Sequence, residues 1–506
     1  GYTTQENSGE SYNATVTTQL LNEAWKPSYN PLDPANSWYP QYAGAIVGGA
    51  SAVYGAAFIA AQQGGADEAT AKAIAQDAVA ANSAAILAGA RSYADIGRPA
   101  PGSAQFNTIL DTVRKKPIPY GGLFLDRTDL YNYEGQYNLT DALHVGKKGN
   151  MLEVLVGANY KTYRMNSQGT LFADSVKPIG IKEYGVFIQA SREITSSLKV
   201  TASGRYDKNE YFKGRFTPRL TAVYTVAKNN NIRLSYQTAY RFPSNQMQWI
   251  NLDLNSYKLI GGNKNFAQLY HFDTNPIYDR DSLVNGKTIS QSFGSFKPES
   301  LSSFELGYKG LLMNGKLLVD IYGYYGQYTD FLARRVVVQS KTGAPIVQAD
   351  ADTGNIYSIP VNITEKLKTY GFGIGLDYRL PANFTISVNA ASDRLDHVPS
   401  SFITNYNTPK WKLNASLSNS GFGKGKRFGF NIAYRYQEAF YFEGDLANGN
   451  IQPVTTLDAQ VSMKMPKIKT MIKIGATNLL NEYYYNAVGN SYVGGLYYIG
   501  LGYNIF

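Results

Sequence analysis

Two groups of aromatic and basic residues are the candidates for binding chemistry in this chain of 506 residues. Tyr240, Arg241 and Trp249 stand where a strand would leave for its longest connection, and Trp25, Trp38 and Tyr39 lie in an N-terminal stretch of different character. Aromatic faces beside a guanidinium can hold sugar, peptide or anionic groups. The competing reading makes the same rings girdle or loop-packing residues. Covalent chemistry has fewer candidates. The chain has no cysteine, which removes thiolate nucleophiles, disulfides and sulfur metal sites together. His144, His271 and His397 are too scattered for a metal cluster. Gly-x-Ser-x-Gly, P-loop and His-Glu-x-x-His patterns do not occur, and Asp393 and Asp396 have no evident catalytic companion. Residues 350–355 have the acidic spacing of a calcium loop but not its fixed Gly and terminal Glu, so a plain turn is expected. Asp273, Asn275, Asp279 and Asp281 are a set that a hard cation would suit. The expectation is a chain that binds rather than catalyses, without a cofactor or a resident metal.

The elements that must position these residues follow from composition and period. Charged residues are 17% of the chain, against ~25% in an ordinary soluble protein. Mean hydropathy is nevertheless −0.29, which excludes a bundle of membrane helices. The net charge of +10 is spread singly, without the basic block expected of a nucleic-acid binder. From about Leu130 onward the dominant signal is alternation over ~9–11 residues, the strand length that crosses a bilayer at a tilt. Leu457, Ala459, Val461, Met463 and Met465 share one face, and Asp458, Gln460, Ser462 and Lys464 share the other. Leu198, Val200, Ala202, Gly204 and Tyr206 oppose Lys199, Thr201, Ser203, Arg205 and Asp207 in the same way.

A soluble sandwich also alternates, but three features favour a transmembrane barrel. The segments are long, Tyr or Trp recurs near the ends of the apolar faces, and short connections alternate with long ones. Short turns are expected at 195–197, 314–315, 382–383 and 466–467; long connections at 166–182, 244–300, 337–356 and 396–409. The count is about fifteen strands between residues 130 and 506, with residues 1–4 as the outer end of one more. Arg205, Asp207 and Arg241 then fall on the luminal face, where buried charge needs a partner and a plug would supply one. Residues 5–129 are expected to form a long extracellular insertion with helices. Within it, 43–61 is uncharged and of membrane-spanning length but too rich in Ala and Gly to insert well. Residues 67–93 read as one helix capped by Asp67, which would confine helix to about the first hundred residues. Gly1 is preceded by no initiator Met or signal core, so the chain is expected to be incomplete at its N-terminus.

Several stretches resemble TonB-dependent outer-membrane receptors of the Bacteroidota type. Thr217-Pro218-Arg219-Leu220, Asn231 through Tyr236 and Tyr240-Arg241-Phe242-Pro243-Ser244 are similar to paired strands in the middle of such barrels. Lys297-Pro298-Glu299-Ser300 leading to Phe304 through Gly310, then Asn478 through Tyr484, and the terminal run to Phe506 complete the order. Ile505, Tyr503, Leu501, Ile499 and Tyr497 form one face, so Phe506 falls one position out of phase with them. The resemblance implies a barrel of about 22 strands with a plug in its lumen. About sixteen would lie in this chain, and the plug, the first strands and the TonB box would be absent. It further implies residence in the outer membrane among its lipids, a TonB-type energy-transducing partner, and active uptake of a nutrient. The alternative is a structural barrel whose helical insertion docks a surface lipoprotein or another subunit.

Overall fold

The computed structural model describes residues 2–5, 23–26, 30, 37–118, 120–123, 125–147, 150–254, 257–294, 296–445 and 447–503. Gly1, Ile505 and Phe506 lie outside the described residues, and with them the phase of the chain's last positions. Sixteen strands form one antiparallel sheet in which each pairs with the next. They are β1 (Tyr2–Gln5), β2 (Arg127–Asn138), β3 (Glu153–Asn166) and β4 (Ile179–Thr195). Next come β5 (Leu198–Asn209), β6 (Arg215–Ala227), β7 (Asn230–Arg241) and β8 (Glu299–Leu312). β9 (Leu317–Thr329), β10 (Leu367–Arg379), β11 (Phe384–Asp396) and β12 (Trp411–Phe422) follow. β13 (Phe428–Gln437), β14 (Val454–Met465), β15 (Thr470–Thr477) and β16 (Leu496–Tyr503) end the sheet. β1 and β16 do not pair, so the sheet is an open wall.

Period two decides what each face of this wall meets. On β14, Val461 is 58% exposed whereas Asp458 is 8% exposed. On β5, Tyr206 is 40% exposed and Asp207 again 8%. Register carries the apolar rows across the sheet: Val461 lies opposite both Phe430 and Ile474, and Ile474 opposite Ile499. An apolar face that nothing in the protein covers is what a wall in lipid must present. Several charges of the polar face pair within it. Arg233 pairs with Glu305 at 2.7 Å, Arg435 with Asp458 at 2.6 Å, and the Tyr324 hydroxyl donates to Asp393 at 2.6 Å. Glycine serves the wall where a ring leans over its neighbour. Tyr322 lies opposite Gly373, and a Cβ on that glycine would stand 2.5 Å from the Tyr322 ring.

The connections sort by end. Short turns close β4–β5, β6–β7, β8–β9, β10–β11 and β14–β15, the β8–β9 turn running through Asn314 and Gly315 at positive φ. The 139–152 connection, at the same end, is longer and holds a helical turn. At the opposite end lie the long connections, and two of them fold into a structure of their own. Residues 331–339 and 355–363 form a hairpin, flanked by 258–260 and 251–253 on one side and by 277–279 and 290–291 on the other. This six-stranded cap is built largely from the long connections expected at 244–300 and 337–356. Short helices at Asn245–Trp249, Asn265–Leu269, Arg280–Val284 and Asp350–Thr353 also correct the expectation that helix is confined near the N-terminus. The cap has a core of its own, with Phe266, Ile277, Leu332, Ile359 and Arg334 each 1% exposed.

Between β1 and β2 runs the helical insertion: α1 (Trp38–Gln63), α2 (Glu68–Ala81), α3 (Ser83–Ala94) and α4 (Ala104–Val113). α1 tolerates Pro40 because the missing N–H falls in the first turn, where none is bonded. Asp67 caps α2 as expected, accepting from the Thr70 N–H at 2.8 Å. The single helix expected over 67–93 is broken at Asn82, whose amide donates to the Ala78 carbonyl at 2.8 Å and competes with the backbone ladder. α1 is long and apolar enough to cross a membrane by length and composition. It packs against α2 and α3 through small residues, with Ala71, Ala75 and Ala90 buried beneath it.

Candidate functional site

Where the wall meets the cap there is a cavity of about 1050 Å³. Its polar side comes from β3, β4, β5 and β7. Asp207 accepts from Arg205 Nε at 2.7 Å and Nη2 at 2.5 Å, and Tyr240 lines the cavity beside it. Arg205 Nη2 also donates to Asn159 Oδ1. Lys161 lies directly across the ladder from Glu183, which accepts from Asn209 at 2.8 Å. Both cations that line the cavity therefore face carboxylates, while Asp126 and Asp445 add negative charge. The apolar side is built by Met165, Leu171, Phe172, Ile250, Leu252 and Leu259, which pack as one core between the β3–β4 connection and the cap.

The third side belongs to the connections after β13 and β15, through Phe442, Asp445, Ala447 and Val488. Asp445 ties this side to the cap. Its carboxylate accepts from Gln246 at 2.9 Å and lies 3.5 Å from Arg334 Nε, and its carbonyl accepts from the Tyr257 hydroxyl. Arg334 is 1% exposed and donates to the Ile260 and Ser358 carbonyls at 2.8 Å each. Burial pushes its guanidinium below the ordinary arginine range, and the Asp445 carboxylate opposes that shift. Arg335 reaches Asp279 at 3.2 Å and Ser401 at 2.9 Å, and Glu443 accepts from Thr404. Four long connections are thus laced into one body.

The structure distributes the expected site residues unevenly. Tyr240, Arg205 and Asp207 meet in the cavity. Arg241 does not line it: its guanidinium pairs with Glu299 at 3.0 Å, and Glu299 accepts from the Leu332 N–H, so this arginine anchors the cap to the wall. Arg205 and Arg241 thus each have a carboxylate partner within the wall itself. Trp249 is 8% exposed and packs edge-on against Tyr211, away from this cavity. Trp25, Trp38 and Tyr39 also lie elsewhere. Trp38 is buried, donates to Asp95 at 2.7 Å and stacks on Tyr42, with Tyr39 edge-on to it. Trp25 lies beside Gly97 with Lys26 over its ring. Of the three only Trp38 is buried, and it ties the start of α1 to α3 through Asp95 and the Arg91 guanidinium over its ring; Tyr39 is 41% exposed. The cation set is not assembled: Asp279 caps the helix at 280–284, Asn275 donates to the Ser340 carbonyl, and no group of three acidic or histidine ligands converges among the described residues. Phe442, Asp445 and Val488 had no signal in the sequence, since nothing local shows which connections will meet.

A wall of consecutive antiparallel strands, apolar outside and charge-paired inside, with a cavity under folded long connections, defines a receptor-type outer-membrane barrel. The sequence matches the family described as TonB dependent receptor-like, beta-barrel, over residues 2–479, and the chain belongs to that family. No curated protein matches the sequence. Solved structures share the fold. The siderophore receptor PirA from Acinetobacter baumannii is 14% identical with a TM-score of 0.52, over 74% of this chain and 55% of that one. The FrpB iron transporter from Neisseria meningitidis is 15% identical with a TM-score of 0.51, over 76% and 56%. A mutant of the ferric enterobactin receptor from Pseudomonas aeruginosa is 14% identical with a TM-score of 0.52, over 76% and 55%. The chain spans little more than half the length of each of these receptors.

Proposed function

We propose that the protein takes up a nutrient actively across the outer membrane, driven by a TonB-type energy-transducing complex, and that the cavity between wall and cap is where the nutrient first binds. The observation that carries this reading is the cavity itself: about 1050 Å³, with a polar wall formed by Asp207, Arg205 and Tyr240 facing an apolar cap. A concave site with few convergent polar groups is what a small-molecule receptor needs. In this reading the long connections and the helical insertion are extracellular, and a plug outside this chain closes the lumen. The similar structures include receptors for siderophores and an iron transporter. The charge of this cavity favours a different cargo. Its two cations already face carboxylates and four carboxylates line it, so an uncharged or cationic organic nutrient fits better than an anionic chelate. Transport needs no covalent chemistry and no catalytic residue.

The test is whole-cell accumulation of labelled neutral, cationic and anionic nutrients with and without the energy-transducing partner. Uptake of an uncharged or cationic nutrient that disappears on deleting the partner is the expected result. Uptake that persists unchanged, together with stable co-purification of another protein, turns the assignment to a complex-forming barrel. One observation favours that second role: α1 carries no charged residue, with Val47 65% and Ile59 56% exposed, a face suited to a surface lipoprotein or another subunit.

A further inference from the structure

The outward face of β3, β4 and β5 changes character along its length. At mid-strand it is apolar and bare, with Val186 and Ile188 exposed on β4 and Leu220 on β6. Nearer the end that carries the long connections comes a row of exposed tyrosines, Tyr133, Tyr160 and Tyr184, each directly across the ladder from the next. Tyr206 and Phe216, opposite each other on β5 and β6, continue the row. Aromatic rings in such a row mark the level at which hydrocarbon gives way to headgroups.

Beyond that row, on the same face, stand three cations. Lys182 and Lys208 lie two residues outward of Tyr184 and Tyr206, about 7 Å along a strand, and Arg164 lies four residues outward of Tyr160. The register makes them neighbours. Arg164 is opposite Gly180 and Lys208 is opposite Tyr184, so Lys182 is a diagonal neighbour of both cations, at a spacing on the order of 7–8 Å. Arg164 and Lys182 are exposed; Lys208 is half-buried and donates to the Phe212 carbonyl. None of the three forms an ion pair among the described residues. Two carboxylates share the neighbourhood: Asp129, opposite Arg164, and Glu210, whose carboxylate accepts from the Lys182 N–H at 3.2 Å. Lys177 and Lys264, both exposed, add positive charge beside them, lining a second cavity of about 920 Å³ with Gly180, Tyr211 and Trp249.

Like charges side by side on one sheet face are destabilising unless an anion lies between them. On a wall that faces lipid, at the level just past the aromatic row, the anion at hand is a headgroup phosphate. We propose that Arg164, Lys182 and Lys208 form a binding site for the phosphorylated headgroup of an outer-leaflet lipid, whose acyl chains lie along the bare face below. The site goes beyond nutrient uptake and uses only the orientation that turns the long connections to the cell exterior. A guanidinium and two ammonium groups converging from adjacent strands bind phosphate oxygens through charge-assisted hydrogen bonds. A zwitterionic headgroup brings its own cation to the phosphate and leaves the three without a counter-ion.

The experiment is native mass spectrometry of the purified protein in detergent, titrated with diphosphoryl lipid A and, separately, with phosphatidylcholine. Lipid A is expected to bind at one dominant site, about tenfold more tightly than phosphatidylcholine. Combining Arg164→Gln, Lys182→Gln and Lys208→Gln should weaken it about a hundredfold. Lys424→Gln with Lys426→Gln, in the turn at the opposite end of the wall, should leave it unchanged. Folding of each variant is read from its mobility on gels before and after heating. Should the triple variant fail to fold, Lys182→Gln alone, the central cation, carries the test with a loss of about fivefold. Equal retention of the two lipids overturns the proposal. So does lipid A binding that the folded variant leaves unchanged, or that the turn variant weakens as much. Displacement of lipid A by an equal concentration of inorganic phosphate also overturns it, leaving an adventitious ion only. The measurement involves no uptake, so its failure leaves the transport reading standing.

Discussion

At the residue scale the protein depends on which side of the wall a side chain meets. Val461 and Ser462 are chain neighbours at mid-strand, and only Val461 belongs to the exposed apolar row that includes Ile474 and Phe430. Arginine in place of Val461 should cost ~2–4 kcal/mol of barrel stability, and in place of Ser462 far less. Reversible unfolding in bilayers reads the difference, and equal costs would contradict the assignment of the faces. The same logic explains why Arg241 proved an anchor. An arginine at the end of a strand is equally suited to a ligand or to a carboxylate brought in by another strand, and Glu299 arrives from β8, directly across the ladder.

At the element scale the cap is the unexpected feature. Wall strands have lipid on one side and lumen on the other, so they need little core, yet the connections that form the cap bury a full one, with Arg334, Phe266 and Ile359 each 1% exposed. Arg334 holds this body together from inside. Removing its charge alone, as in Arg334→Met, strands Asp445 and should destabilise the cap by ~3 kcal/mol or more; the double variant with Asp445→Asn should recover part of that. Hydrogen exchange of 355–363, followed against exchange of β10, distinguishes loosening of the cap from loss of the barrel. An alkaline limit follows from Tyr270, whose hydroxyl is pushed up to about 12, first by burial and then by Asp253. Its neutral form is retained on folding, so the stability it contributes is complete below pH 10.0 and is lost as pH rises toward 12. Ultraviolet titration of tyrosinate should show cap opening in that window while the wall strands remain protected.

At the scale of the whole molecule, wall, cap and helical insertion are held by different physics. The wall depends on ladder hydrogen bonds and lipid, the cap on a core of its own, and the insertion on the buried alanines between α1, α2 and α3. Excising residues 37–113 should therefore leave a wall that still inserts and resists denaturation in detergent, assayed by its folded-state mobility on gels. Failure of that variant to fold would show that the insertion is needed for assembly of β1 on β2.

The alternation of apolar and polar residues was enough to determine a barrel wall, its strand faces and the end at which its short turns lie, because period two is a local property and lipid imposes it on every strand. The family was legible in motifs of the middle of the chain, Thr217 through Ser244 and Lys297 through Gly310, which lie inside the family match. The cap was not anticipated: 331–339 carries apolar runs, Phe331-Leu332-Ala333 and Val336-Val337-Val338, rather than alternation, but which strands they would meet, 355–363, 258–260 and 277–279, is not written in the local pattern. Nor did spacing reveal that Trp249 would leave Tyr240 for a second cavity, or that Asp445 would meet Arg334 across a long stretch of chain. Those meetings depend on which connections fold over one another, and that is decided by burial in three dimensions, which no local period encodes.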